Sequence, residues 1–122
     1  NTAVGGTALS LNTTAANNTA MGHSALKVNT TGHSNVALGK NALNDNTTAS
    51  YNTSVGTYSM DKTTTGSNNT AVGYQALEQN TTGHSNLAAG YHALKANTTA
   101  THGVALGHSA LIQTLQVITT VL

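Results

Sequence analysis

Apolar and polar positions along this chain recur at a fixed interval of seventeen residues. The ninth place of each unit holds Leu9, Leu26, Leu43, Met60, Leu77, Leu94 and Leu111. The fourth holds Val4, Met21, Leu38, Val55, Val72, Ala89 and Leu106. Glycine keeps the same step at Gly5, Gly22, Gly39, Gly56, Gly73, Gly90 and Gly107. The units begin at Asn1, Asn18, Asn35, Asn52, Asn69, Asn86 and Gly103, with no insertion or deletion between them. A short fixed period marks a stacked array in which each unit packs on its neighbours. Apolar residues held in columns also argue against a disordered low-complexity chain.

Seventeen residues are too few for two helices and a turn, and recurring Thr, Asn and Gly disfavour helix. The pattern predicts two short strands and two turns per unit. The first strand is Thr-Ala-Val, as in Thr70-Ala71-Val72, with Thr70 and Val72 on one face and Ala71 on the other. Gly73 turns the chain, Ala76-Leu77 forms a second strand, and Asn80-Thr81-Thr82-Gly83 turns it back. The expected fold is all-β: a parallel β-roll or β-solenoid with one coil per unit, coils standing about 4.8 Å apart. The Leu and Val columns are expected inside. Stacked Asn12, Asn29, Asn46, Asn80 and Asn97 suit a ladder of side-chain amides, broken at Thr63 and Thr114.

The alanine columns leave two readings open. Ala3, Ala20, Ala37, Ala71, Ala88 and Ala105, with Ser54 among them, fall on the outward side if Val points in. The eighth place repeats this with Ala8, Ala25, Ala42, Ser59, Ala76, Ala93 and Ala110. Such columns either pack against copies of the same chain or fit a cramped interior.

Residues 1–102 form six regular coils, and residues 103–122 a degenerate seventh. In that last unit the polar turn gives way to Thr114-Leu115-Gln116-Val117, followed by Ile118-Thr119-Thr120-Val121-Leu122. Leu115, Val117, Ile118, Val121 and Leu122 suit an apolar cap, a strand pairing with another subunit, or a boundary with further sequence. The chain starts in mid-pattern at Asn1, which suggests a segment of something longer.

Composition narrows the function classes. Charged residues make up 6% of the chain and the net charge is +1, so no basic face for nucleic acid is expected. Cysteine is absent, which excludes a disulfide scaffold. No apolar stretch reaches membrane-spanning length, and membrane insertion is not expected.

The element Asn35-Val36-Ala37-Leu38-Gly39, echoed by Val104-Ala105-Leu106-Gly107, resembles the head repeats of trimeric autotransporter adhesins. Asn69-Thr70-Ala71-Val72-Gly73-Tyr74-Gln75-Ala76-Leu77, followed by Asn80-Thr81-Thr82-Gly83, is similar to repeats of phage tail-fibre-like and surface proteins. The resemblance implies a parallel β-roll that packs side by side with two copies of itself and binds host matrix or other surfaces. This unit is longer than the usual head repeat, by an added Asn-Thr-Thr segment.

Candidate chemistry is sparse. His23, His33, His84, His92, His102 and His108 scatter over several columns, so solvated turn histidines are expected and a metal site is not. Asp45, Asp61 and Glu78 sit in different coils without an evident partner for acid–base work, and Glu78→Lys is expected to be neutral. No nucleophile elbow and no phosphate-cradling loop is present, so neither catalytic residues nor a cofactor are assigned. Tyr74 and Tyr91 share a column, either as a binding stripe or as cross-coil packing. Thr13, Thr30, Thr47, Thr64, Thr81 and Thr98 form a column suited to ordering water, with a second Thr next to each. Asn12, Asn17, Asn29, Asn46, Asn52, Asn68, Asn80 and Asn97 open Asn-x-Ser/Thr sequons, unusable wherever the amide points inward.

The expected function is a structural, non-catalytic rod of an extracellular fibre, cell-surface adhesin or phage virion fibre. Its partners would be copies of itself and a host-surface protein or glycan, engaged by many equal contacts. The alternatives are a filament subunit joined end to end and an ice-binding solenoid.

Overall fold

The computed structural model describes residues 1–112, which wind into a β-solenoid containing no helix. The expectations for Leu115, Val117, Ile118, Val121 and Leu122 lie outside the described residues. Each unit contributes one three-residue strand: β1 Thr2–Val4, β2 Thr19–Met21, β3 Val36–Leu38, β4 Thr53–Val55, β5 Thr70–Val72, β6 Leu87–Ala89 and β7 Val104–Leu106. They form one seven-stranded sheet in sequence order. All pairings are parallel, and the register advances by one unit, with Thr2 opposite Thr19 and Ala3 opposite Ala20. Like side chains therefore stack on like.

The interior differs from the expected one. The middle residue of each strand points in: Ala20, Ala37, Ser54, Ala71 and Ala88 are fully buried. The fourth place points out, with Val4, Met21, Val72 and Leu106 between 44% and 65% exposed. The alanine columns belong to the core, and the Val column to the surface. The cause is volume. Leu26, Leu43, Met60, Leu77 and Leu94 project into the same narrow space and are fully or almost fully buried. The wall facing them, made of third- and eighth-place alanines, must then be small.

Among the described residues the second strand is absent. Where Ala-Leu was expected to extend, the seventh and ninth places take left-handed backbone angles, as at Gln75 (φ 54°) and Leu77 (φ 53°). The seventeenth place does the same, from Asn17 (φ 62°) to His102 (φ 59°). Alternating backbone hands aim successive N–H groups in opposite directions along the stack. The Leu77 amide donates to the Ala93 carbonyl in the next winding at 3.0 Å, while the Gln75 amide donates to Thr57 in the preceding one at 3.1 Å. Each left-handed non-glycine residue costs about 1–2 kcal/mol, offset here by these inter-winding bonds. The fifth place needs glycine for two reasons. Gly73 has φ +136°, and a methyl group there would stand 2.5 Å from the Gly90 carbonyl oxygen.

Two asparagine ladders close the core. In the first place, each Oδ1 accepts the backbone N–H of the Asn one winding on, as from Asn35 to Asn18 (2.9 Å) and from Asn69 to Asn52 (2.8 Å). Each Nδ2 donates to a fifteenth-place carbonyl, as Asn69 does to Gly83 at 2.9 Å. In the twelfth place, Nδ2 donates to that same carbonyl, Asn80 to Gly83 at 3.0 Å, and to the preceding Asn, Asn97 to Asn80 at 2.8 Å. The twelfth-place ladder is the expected one. The first-place ladder was not anticipated, although its sequence signal, Asn in the first place of every unit but the last, is the stronger.

Candidate interaction surfaces

One uniform surface is the outer strand face. Side chains two apart share a face of a strand, so the second and fourth places stand together. Val4, Met21, Val72 and Leu106 of the fourth place are exposed, and Leu87 and Val104 join them from the second. No lysine or acid stands in either column. Thr19, Val36, Thr53 and Thr70 are half-buried, so the face is regular and β-branched along its middle.

A second surface is an aromatic column at the sixth and seventh places. Tyr74 stacks on Tyr91 with ring centroids 5.4 Å apart and 16° between planes, and Tyr91 stacks on His108 at 4.9 Å and 10°. Tyr58 meets Tyr74 edge-on at 6.4 Å, and the Lys40 ammonium lies 5.7 Å from the Tyr58 ring centroid. The ring faces are spent on one another, which is the cross-coil packing reading. His92 rests against Tyr91 at 3.8 Å, and burial followed by the nearby Lys95 charge lowers its pKa.

The histidines do not converge. His84 and His102 touch edge-on at 5.4 Å, and His33 meets Tyr51 at 4.9 Å. Among the described residues, no group of three or more His, Cys, Asp or Glu side chains could hold a metal ion.

The acids sit in different windings, as expected, but each forms an ion pair with a lysine that the sequence reading did not anticipate. Register places Asp45 beside Lys62 (3.2 Å) and Glu78 beside Lys95 (3.5 Å), and Asp61 meets its chain neighbour Lys62 at 3.2 Å. Glu78 also accepts from Gln75 at 2.9 Å and is largely buried, so Glu78→Lys is not the neutral change expected. Asp61 is the outlier. Its side chain is 7% exposed, its Oδ1 has no hydrogen-bond partner, and burial raises its pKa despite Lys62.

The threonine columns exchange roles. Thirteenth-place hydroxyls are turned back onto the backbone, with Thr30 donating to the Thr47 carbonyl at 2.9 Å and Thr47 to Thr64 at 3.1 Å. The exposed column is the fourteenth place: Thr14, Thr31, Thr48, Thr65, Thr82 and Thr99.

Comparison with protein-family models, with curated proteins and with solved structures returns no match. The functional reading therefore rests on these surfaces.

Proposed function

We propose that the chain is a structural, non-catalytic rod of an extracellular fibre, surface adhesin or phage fibre, associating with copies of itself through the outer strand face. One observation carries this reading: a seven-stranded sheet whose outward fourth place is apolar in every unit and free of charge. Contiguous apolar surface of this kind marks an interaction site. Self-association through it would leave the threonine and aromatic columns outside, repeated along the rod, where a host-surface protein or glycan would be held by many weak contacts. The resemblance to adhesin head repeats supports the same arrangement.

Light scattering of the purified chain tests the proposal. The expected mass is a multiple of 12.3 kDa, falling to the single-chain value in Val55→Lys/Val72→Lys. A wild-type chain that is monomeric at high concentration overturns it.

The end-to-end filament turns on the apolar stretch with Leu115, Val117, Ile118, Val121 and Leu122, which lies outside the described residues, and within them only the first-place ladder bears on it. The first-place ladder passes through Asn86, whose Oδ1 accepts the Gly103 amide at 2.8 Å. Gly103 has no side-chain oxygen with which to continue the ladder.

The exposed fourteenth-place threonines favour a second reading, an uncharged, evenly spaced face that orders water. Absence of thermal hysteresis at millimolar protein would remove it.

A further inference from the structure

The two asparagine ladders divide the chain's sequons into two kinds. Asn29, Asn46, Asn52, Asn80 and Asn97 are buried, and Asn12 is half-buried. In all six, Nδ2 is a hydrogen-bond donor to a carbonyl of the fifteenth place: Asn12 to Ala15, Asn29 to Gly32, Asn46 to Ala49, Asn52 to Gly66, Asn80 to Gly83 and Asn97 to Ala100, at 2.9–3.2 Å. Asn17 and Asn68 differ. Both occupy the seventeenth place, both are exposed, and both have left-handed backbone angles, φ 62° and 61°.

We propose that Asn17 and Asn68 are the only asparagines of the described fold able to carry an Asn-linked glycan, and that the same modification at any of the other six prevents folding. Native folding then requires a compartment in which no oligosaccharyl transferase meets the chain first. This goes beyond the rod reading and does not depend on it.

The chemistry sets the conflict. The donor is a lipid-pyrophosphate-linked oligosaccharide. The asparagine Nδ2 attacks its anomeric carbon, an N–C bond forms, the bond from that carbon to the pyrophosphate oxygen breaks, and Nδ2 gives up one proton as the lipid pyrophosphate leaves. The product amide keeps a single N–H and bears a bulky polar sugar. Asn12, Asn52 and Asn80 use Nδ2 once, toward the fifteenth-place carbonyl. Asn29, Asn46 and Asn97 use it twice, toward the fifteenth-place carbonyl and toward the preceding Asn, as at Asn46 (3.1 and 2.6 Å). One N–H cannot serve both, and the sugar has no room where Asn46 is fully buried. The transfer acts on extended chain, so it precedes the winding that would protect these amides. At Asn17 and Asn68 the amide already faces solvent, and the sugar would project from the outside of a turn.

The sequons can be erased without touching a ladder amide, because their third residue is elsewhere. Five end at exposed Thr14, Thr31, Thr48, Thr82 and Thr99, and the Asn52 sequon ends at Ser54, where most units carry alanine. The full chain is expressed in yeast with a secretion signal, and in bacterial cytosol without one. From bacteria, the wild type and the six-fold variant Thr14→Ala, Thr31→Ala, Thr48→Ala, Ser54→Ala, Thr82→Ala, Thr99→Ala are expected to give the same strand-type dichroism and cooperative melting. From yeast, the wild type is expected to be retained as heterogeneous glycoforms, and the variant to be secreted, folded, with sugar mapped by mass spectrometry to Asn17 and Asn68. Four outcomes overturn the proposal: secreted native wild type with sugar on any of the six, secreted native wild type with those six bare, a yeast-made variant no better secreted than wild type, or a secreted variant with Asn17 and Asn68 both bare.

Discussion

The winding that starts at Asn52 and the one that starts at Asn69 share one backbone path but not one interior. The second carries Ala71, Ala76, Leu77 and Asn80 at the inward places, and the first carries Ser54, Ser59, Met60 and Thr63 there. The two serines are accommodated. Ser54 donates to the Ser59 carbonyl at 2.8 Å and Ser59 to the Ala71 carbonyl at 3.4 Å, so each hydroxyl finds an acceptor within the core. The threonine is not. Thr63 interrupts the twelfth-place ladder, and Thr63 Oγ1 and Asn46 Oδ1 are both buried without a hydrogen-bond partner. A solenoid interior thus tolerates polar substitution where the new group can reach a backbone carbonyl of its own or the next winding. It does not absorb the loss of a group that neighbouring windings use.

The largest effect should come from breaking the regular winding. Leu77→Asp drives a charge into a fully buried position facing Ala71 and Ala76, and the change is expected to abolish the cooperative transition in thermal melts. Leu77→Ala should cost roughly 2–5 kcal/mol in urea unfolding and leave a folded chain. If Leu77→Asp melts like wild type, the ninth place does not face inward.

The next effect compares the ladder where it is whole with where it is broken. Asn80→Ala removes one of the two amide donors to the buried Gly83 carbonyl and one acceptor of the Asn97 amide. The expected loss is about 1–3 kcal/mol. Thr63→Ala removes a hydroxyl that bonds to nothing and should cost less than Asn80→Ala. Equal losses in urea midpoints would show that the ladder bonds do not carry the difference.

The period, the parallel stacking and the twelfth-place ladder were all legible in the sequence, because each depends only on like residues recurring in register. The facing of the strand was not. Hydrophobicity placed Val72 inside and Ala71 outside, and the structure reverses them because Leu77 already fills the space. Volume across the winding decides this, and a pattern of apolar and polar letters does not carry volume. The left-handed ninth place was also missed. A trace of it was present: that column holds only Leu and Met, never the β-branched residues common in the fourth place, and β-branching is what positive φ excludes most strongly. The pairing of Asp45 with Lys62 and of Glu78 with Lys95 was readable from their separation of one unit, once stacking is granted.

Repairing the broken winding should give a gain. Thr63→Asn would let one amide donate to Asn46 Oδ1 and give Asn80 an acceptor, restoring the run from Asn29 to Asn97. The expected stabilisation is about 1 kcal/mol, read as a higher urea midpoint at unchanged slope. A lower midpoint would mean that local packing around Thr63, and not ladder continuity, sets the energy there.

The smallest effect is one of pH. Asp61 lies in the atypical winding, with burial raising its pKa above the ordinary value of 3.8 and the Lys62 contact opposing that rise. A carboxyl whose native pKa exceeds its unfolded one holds its proton more tightly when folded. Its contribution to stability is fully present below the unfolded value and fades as pH rises through the native one. Lys62 is shifted upward, chiefly by its hydrogen bond to Asp61, and its contribution would fade only above its ordinary value of 10.5. Between pH 3 and pH 7 the Asp61 carboxyl therefore sets the difference between wild type and Asp61→Asn. The variant should be the more stable at pH 7, where the wild type carries a buried charge with an unpartnered Oδ1, and the advantage should shrink toward pH 3. Urea midpoints of the two proteins at both pH values decide the matter. A variant weaker than wild type at pH 7 and equal to it at pH 3 would reverse the sign and make the Asp61–Lys62 pair, at 3.2 Å, a net source of stability.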